Sequence, residues 1–348
     1  MSKSFISAAI IALSLGVAGM NPASAEEIKL TGSGASFPFP LYSAWFKDFS
    51  KQTPGVTVDY QAKGSGAGIQ DFINNTVDFA ASDAAMTDEE IAKVKQGVVL
   101  LPMTAGEIVL SYNLDGVKDL KLPRDVYPDI FAGKITKWSD PKIATANPGV
   151  KLPDQNITVV ARSDSSGTTY VFTGHLSAVS EAFKQSVGHG TTVQWPTSFV
   201  KAPKNDGVTA TIKQTPGAIG YIEYTYAMAT KQPMAILQNK TGHFVSAGDK
   251  AGMAALAGAE FPAKKLPDSD VPDLRVWLFD PASKEAYPIT TFTWMLLYRD
   301  QDDAKAKVLR DLVEYGLTKG QVMAPKMGYI PLPENVIEKV RKASALIQ

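Results

Sequence analysis

The chain has 348 residues, with 35 Lys or Arg, 35 Asp or Glu, three His and no Cys. The absence of cysteine excludes disulfides, thiol nucleophiles, Cys-based metal sites and a lipid-modified cysteine at the start of a mature chain. The balanced charge gives no long-range attraction for nucleic acid, so an anion site here must rest on local hydrogen-bond donors rather than on a basic surface.

The first 25 residues stand apart. Lys3 is their only charge, Phe5 to Met20 is apolar, and Ala23-Ser24-Ala25 precedes Glu26-Glu27 as a small-residue cleavage site. This pattern predicts a cleaved secretory signal peptide. The apolar run is short and contains Gly and Ser, which disfavours a membrane anchor. A Gram-negative periplasm fits an exported, unanchored protein best, with secretion beyond the cell as the alternative. The remaining length suffices for two domains.

In chain order, Ile28-Lys29-Leu30 predicts a short strand, and the turn Thr31-Gly32-Ser33-Gly34-Ala35-Ser36-Phe37-Pro38 follows it. Leu41, Trp45, Phe46 and Phe49 then recur at helical spacing. Pro38 and Pro40 suit a first helical turn, where a missing N–H costs nothing, so Ser36 stands near a helix N-terminus. The pattern repeats with the alternating strand Val56 to Tyr60, the turn Gly64-Ser65-Gly66-Ala67-Gly68, and Ile69, Phe72 and Ile73. Val77 to Ala81 predicts another strand, ending at Ser82-Asp83, and Thr87-Asp88-Glu89-Glu90 is a capping box. This alternation implies a mostly parallel sheet with helices on its faces.

Ile108 to Asn113 opens a second set of elements, which proceeds through Val126 to Phe131. The strand Ile157 to Val160 then leads into Arg162-Ser163-Asp164-Ser165-Ser166-Gly167-Thr168-Thr169, and helical spacing resumes at Tyr170. A strand that breaks into Ser, Gly and Thr and re-forms as a helix presents free backbone N–H groups. Ser166 and Thr168 add hydroxyls, and Arg162 adds a permanently charged planar fork. The natural occupant of such a turn is a small tetrahedral oxyanion. A nucleotide is not indicated, because no Gly-Lys-Ser/Thr completes a Walker A loop and no downstream acid supports a dinucleotide fingerprint.

Further strands are predicted at Ile219 to Ile222 and Thr290 to Tyr298, and helices at Lys305 to Tyr315 and Glu334 to Lys342. The stretch from about Lys240 to Asp280 reads as loops with short helices around the second lobe. His175, His189 and His243 lack metal-ligand spacing and read as ordinary surface or helix positions. Trp138 and Trp195, in loop contexts, are candidate reporters of a conformational change.

The ordered set of Gly34-Ala35-Ser36-Phe37-Pro38, Gly64-Ser65-Gly66, Val77-Asp78-Phe79, Ala81-Ser82-Asp83, Gly133 to Trp138, Arg162 to Phe172, Asn205-Asp206-Gly207 and Pro216 to Tyr224 resembles the periplasmic phosphate-binding proteins of high-affinity phosphate ABC importers. The resemblance covers essentially the whole mature chain. It implies an α/β, type II periplasmic-binding-protein fold: two doubly wound lobes, a two-strand hinge and the ligand in the cleft. Lobe I would comprise 26–104 and 289–348, lobe II 105–288, with crossings near Pro102 to Gly106 and Ala286 to Thr290.

The resemblance also implies the phosphate ligands. Ser36 and the Phe37 N–H match the first turn, with Ser where many relatives have Thr. Ser65 matches the second turn and Asp83 a carboxylate at a strand end. Arg162, Ser166, Gly167 and Thr168 match the second lobe's share, and Asp164 the acid that orients the arginine. Asp83 would accept the proton that phosphate keeps at neutral pH and sulfate lacks, with arsenate accepted as an analogue. The implied partners are the transmembrane permease subunits, for a monomer without cofactor, metal or catalysis. The competing readings are a sulfate or molybdate receptor, a Ser-dependent phosphatase, and an adhesin or signalling protein. Ser165-Ser166-Gly167 lacks the Gly-x-Ser-x-Gly elbow, and no His is placed as its base.

Overall fold

A computed structural model describes residues 27–348. The expected signal peptide lies outside the described residues. No helix among them is long and apolar enough to cross a membrane.

The first half of the fold opens with β1 (Ile28–Gly34), α1 (Phe39–Gln52), β2 (Val56–Ala62), α2 (Ser65–Ile73) and β3 (Phe79–Ser82). The α1 stripe buries Leu41, Tyr42, Trp45, Phe46 and Phe49, as its spacing predicts. β4 (Val98–Tyr112) is then a single strand of 15 residues, buried along its whole length. The second half follows with β5 (Thr158–Arg162), α3 (Gly167–Val179), β6 (Val200–Ala202), α4 (Lys204–Gln214) and β7 (Ala218–Glu223). β8 (Thr290–Tyr298), α5 (Asp303–Tyr315) and α6 (Glu334–Ser344) complete the frame.

These strands form one eight-stranded sheet in the order β2-β1-β3-β8-β4-β7-β5-β6. β1 pairs parallel with β2 and β3, and β5 pairs parallel with β6 and β7. The centre is antiparallel, because β8 runs against both β3 and β4, and β4 against β7. The two doubly wound halves thus share a spine, the two-lobed α/β architecture expected from the alternation of elements.

Two features differ from the sequence reading. Residues 98–107 continue into Ile108 to Tyr112 as one strand, with no break at Glu107. Pro102 and Gly106 resemble punctuation, but the strand absorbs both. The register with β8 shifts between Thr293 and Trp294, opposite the Pro102 to Thr104 stretch, which accommodates the missing N–H. At Gly106 an added Cβ would lie 2.8 Å from the Phe37 ring, so the side chain is excluded by packing rather than by a turn.

The second difference concerns 265–287. This segment straps both halves together instead of circling one. Trp294 Nε1 on β8 donates to the Leu274 carbonyl, and Arg275 donates to the Met86 carbonyl and to Asp88. Arg124 forms a two-pronged ion pair with Asp280, and His175 Nδ1 meets the Phe279 carbonyl. His175 does lie on a helix, α3, but is fully buried, with Nε2 on the Tyr127 hydroxyl; burial lowers it to about 4 and keeps it neutral. Trp138 and Trp195 lie in loops as read, yet both are buried. Trp277 packs at a tilt between Tyr170 on α3 and Trp294 on β8, with ring centroids 5.0 and 5.1 Å away, and so touches both halves.

A candidate anion cradle between the two halves

The C-terminal ends of β1, β2, β3 and β5 converge where the halves face each other, the usual place for a site in an open α/β sheet. Each strand end delivers one part. β1 leads to Ser36 and Phe37, β2 to Ser65 at the start of α2, and β3 to Asp83. β5 ends at Arg162 and leads to Ser166, the N-cap of α3.

Contacts across the divide show how close the parts lie. A Cβ on Gly167 would sit 2.5 Å from Ser65 Oγ and 2.6 Å from Asp83 Oδ2, so only glycine allows α3 to approach the other half. Gly66 N–H donates to the Ser165 carbonyl at 3.2 Å. Ser36 Oγ accepts from both the backbone N–H and the Nδ2 of Asn205, at 3.1 and 3.0 Å. Tyr226 donates to the Ser36 carbonyl at 2.6 Å. The halves are therefore closed on each other.

Four hydroxyls share one property. Ser36 accepts from Asn205, Ser65 from the Asp83 N–H at 3.3 Å, and Ser166 from the Thr169 N–H at 3.0 Å. Thr168 accepts from Arg162 Nη1 and Asn205 Nδ2, at 3.3 and 3.2 Å. Each oxygen is held by N–H donors, and among the described residues none of the four passes its own proton to a protein acceptor. All four residues are at most 2% exposed. A buried hydroxyl in this state is a donor awaiting an acceptor. The N–H groups of Gly167 and Thr168, in the first turn of α3, likewise have no acceptor among the described residues.

Arg162 is pinned in its plane. Its Nε and Nη2 bond the two Asp164 oxygens at 2.8 and 2.5 Å, leaving Nη1 beside Thr168. Burial alone would raise the Asp164 carboxyl, but the Arg162 fork, its charge and the Lys204 N–H bring it below its ordinary value. That N–H is aimed at Asp164 by a left-handed Lys204, φ 59°.

Asp83, unlike Asp164, keeps a carboxylate oxygen that no donor among the described residues occupies. Thr293 on β8 donates to Oδ1 at 2.8 Å, while Oδ2 faces Gly167. Burial pushes Asp83 up to about 7, against the Thr293 bond and the Arg162 charge. The cradle therefore offers many protons and one acceptor, and the acceptor is poised to be either charged or neutral near pH 7.

All of Ser36, Phe37, Ser65, Asp83, Arg162, Asp164, Ser166, Gly167 and Thr168 lie at this convergence. Asn205 and Thr293 were not singled out by sequence. Asn205 occurred there only within Asn205-Asp206-Gly207, and Thr293 only as a strand residue. The available signal for Thr293 was a threonine flanked by Phe292 and Trp294 in a fully buried strand. No cluster of His, Cys, Asp and Glu able to hold a metal occurs among the described residues.

A two-lobed sheet with a donor-rich cradle at the strand ends between its halves is a periplasmic binding protein of type II. Residues 20–318 match the PBP superfamily domain. The same fold occurs in a phosphate-bound high-affinity periplasmic phosphate-binding protein (TM-score 0.71, 22% identity, 90% of this chain and 93% of that one). It occurs also in a phosphate-binding protein from Stenotrophomonas maltophilia (TM-score 0.71, 23% identity, 91% and 94%). The chain is 40% identical over 315 residues to the phosphate-binding protein PstS of Pasteurella multocida, covering 90% of this chain and 88% of that one. It is 37% identical to PstS of Xylella fastidiosa strain 9a5c, covering 92% and 86%. The chain belongs to the PstS family of phosphate-binding proteins.

Proposed function

We propose that the protein binds inorganic phosphate between its lobes in the periplasm and delivers it to the transmembrane subunits of an ABC importer. The observation that carries this reading is the set of four buried hydroxyls, none of which gives its proton to a protein acceptor among the described residues, around the free oxygen of Asp83. Ser36, Ser65, Ser166, Thr168, Arg162 and the N–H groups of Phe37 and Gly167 donate to phosphate oxygens; Asp164 fixes the arginine. Charge-assisted hydrogen bonds of this kind contribute about 1.5–3 kcal/mol each, enough together to offset removal of the anion from water.

Asp83 supplies selectivity. Phosphate and arsenate retain a proton near neutral pH and can donate it to Oδ2. Sulfate cannot, and would face a buried carboxylate with no hydrogen bond. The oxyanion-receptor alternatives suffer the same clash. A phosphatase with a histidine base on α3 is disfavoured, because His175 is buried and engaged at both nitrogens. The lobe boundaries we propose are 26–104 with 289–348, and 105–288, with β4 and β8 near the crossings. Ligand touches both lobes only when closed, so it favours closure and presents the closed monomer to the permease.

The test is equilibrium dialysis with labelled phosphate on protein refolded free of ligand, together with small-angle scattering. One phosphate per chain and a smaller radius of gyration on binding are expected. Absence of binding, or identical scattering curves with and without phosphate, would overturn the reading.

A further inference from the structure

We propose that Asn205 is a positioning residue that sets the direction in which Ser36 and Thr168 present their protons to the anion, and that its hold on Ser36 exists only in the closed protein. This rests on the phosphate reading above.

The orientation of the Asn205 amide is fixed by its surroundings. Its Oδ1 lies 3.0 Å from the backbone N–H of Glu223, a group that can only donate. The oxygen must therefore be on that side, which settles the usual ambiguity between amide oxygen and nitrogen. Nδ2 then faces the cradle and donates to Ser36 Oγ at 3.0 Å and Thr168 Oγ1 at 3.2 Å. The residue is fully buried.

Both hydroxyls are saturated as acceptors. Ser36 Oγ receives a second bond from the Asn205 backbone N–H, and Thr168 Oγ1 a second from Arg162 Nη1. A hydroxyl has two acceptor positions and one proton. With both positions filled by N–H groups, the proton has one direction left. Without Nδ2, each hydroxyl regains rotational freedom and can turn its proton away from the ligand. Orienting a donor in advance is what converts a nearby hydroxyl into a binding group.

Ser36 lies on the β1 side and Thr168 and Asn205 on the β5 and β6 side. One carboxamide thus couples a hydroxyl from each half. In an open protein Asn205 separates from Ser36, and Ser36 loses both donors that fix it. For Ser36, closure and donor orientation are therefore the same event, and its share of anion recognition is gained only in the closed form.

The test is a double-mutant cycle read by phosphate calorimetry. Asn205→Ala is expected to weaken phosphate about tenfold in the otherwise native protein, and less than about twofold in the Ser36→Ala/Thr168→Val background. An equal loss in both backgrounds would overturn the inference, because Asn205 would then act on something other than these hydroxyls. No loss in the native background would overturn it as well.

Asn205→Ala also strips the Glu223 N–H of its acceptor, so Asn205→Asp is run in parallel. It keeps that acceptor and turns an oxygen toward the two hydroxyls, which then point their protons at it. Charge repulsion weakens binding in both backgrounds. A further loss confined to the native background is the expected result, and its absence would contradict the proposal. Wild-type protein that bound no phosphate would remove the underlying reading itself, whereas an additive cycle in protein that binds phosphate removes only the role of Asn205.

Discussion

Thr293 donates its hydroxyl proton to Oδ1 of Asp83 at 2.8 Å, joining two residues 210 positions apart in sequence. The bond leaves Oδ2 as the free oxygen on the side of Gly167. A hydroxyl donor stabilises the charged carboxylate over the neutral acid. Thr293 therefore opposes the burial that raises Asp83, and helps keep it an acceptor for a protonated anion. Thr293→Val should push Asp83 further up and reduce discrimination between phosphate and sulfate about tenfold at pH 7.5. Calorimetric titration with both anions measures it; unchanged discrimination would remove Thr293 from the selectivity account.

Asp83 should also make ligand-free protein less stable as pH rises. Its folded value of about 7 lies above its ordinary 3.8, so the folded state binds the proton more tightly. The contribution is fully present below about pH 4 and is lost as pH rises through about 7. Its full span is at most about 4 kcal/mol. Glu107 and Glu223, raised by burial, act in the same sense, so the wild type alone does not isolate Asp83. Asp83→Asn should shrink the difference in urea unfolding free energy between pH 5 and pH 8. An unaltered difference would mean that Asp83 is not raised.

Gly167→Ala should block closure without unfolding the protein. Its Cβ would meet Ser65 Oγ and Asp83 Oδ2 across the divide, not the interior of either half. Phosphate affinity is expected to fall by roughly 100-fold or more, with a melting temperature near that of the wild type. Affinity retained within threefold would contradict the closed geometry.

Arg162→Lys should not substitute. The guanidinium bonds Asp164 with two nitrogens while a third reaches Thr168, and an ammonium on a flexible stem cannot reproduce that fork. A loss of roughly 100-fold in phosphate affinity at moderate salt is expected. Stopped-flow measurement should place most of it in the dissociation rate.

Trp277 should report closure. Its ring lies between Tyr170 and Trp294, one on each half of the fold. Phosphate should change the fluorescence of wild-type protein, and Trp277→Phe should abolish most of that change. A full signal in the variant would place the reporter elsewhere.

Much of this was legible in the sequence because the relevant signals are local. Strand-to-helix turns such as Gly64 to Gly68 and Arg162 to Thr169 declare themselves by composition, and so do the buried face of α1 and the capping box at Thr87, which forms as expected. The central antiparallel pairing was not legible, since β8 joins β3 and β4 from roughly 180 to 220 residues downstream and nothing in a strand states its neighbour. Asn205 and Thr293 were missed for the same reason. Each touches the cradle through a long-range contact, and each residue type is unremarkable where it stands. The 265–287 strap has weak periodicity because it is held by individual side chains, Trp294, Arg275 and His175, rather than by a repeating face.

The most direct test of the central claim is calorimetry on ligand-stripped wild type and Asp83→Asn, titrated with phosphate and sulfate at pH 6 and pH 8. The account predicts tight one-to-one phosphate binding at both pH values and sulfate binding that is weak and fades further at pH 8, as Asp83 loses the proton that sulfate would need. In Asp83→Asn the preference for phosphate should collapse, since an amide can donate to either anion. Comparable phosphate and sulfate affinities in the wild type at pH 8, or an undiminished preference in the variant, would contradict it.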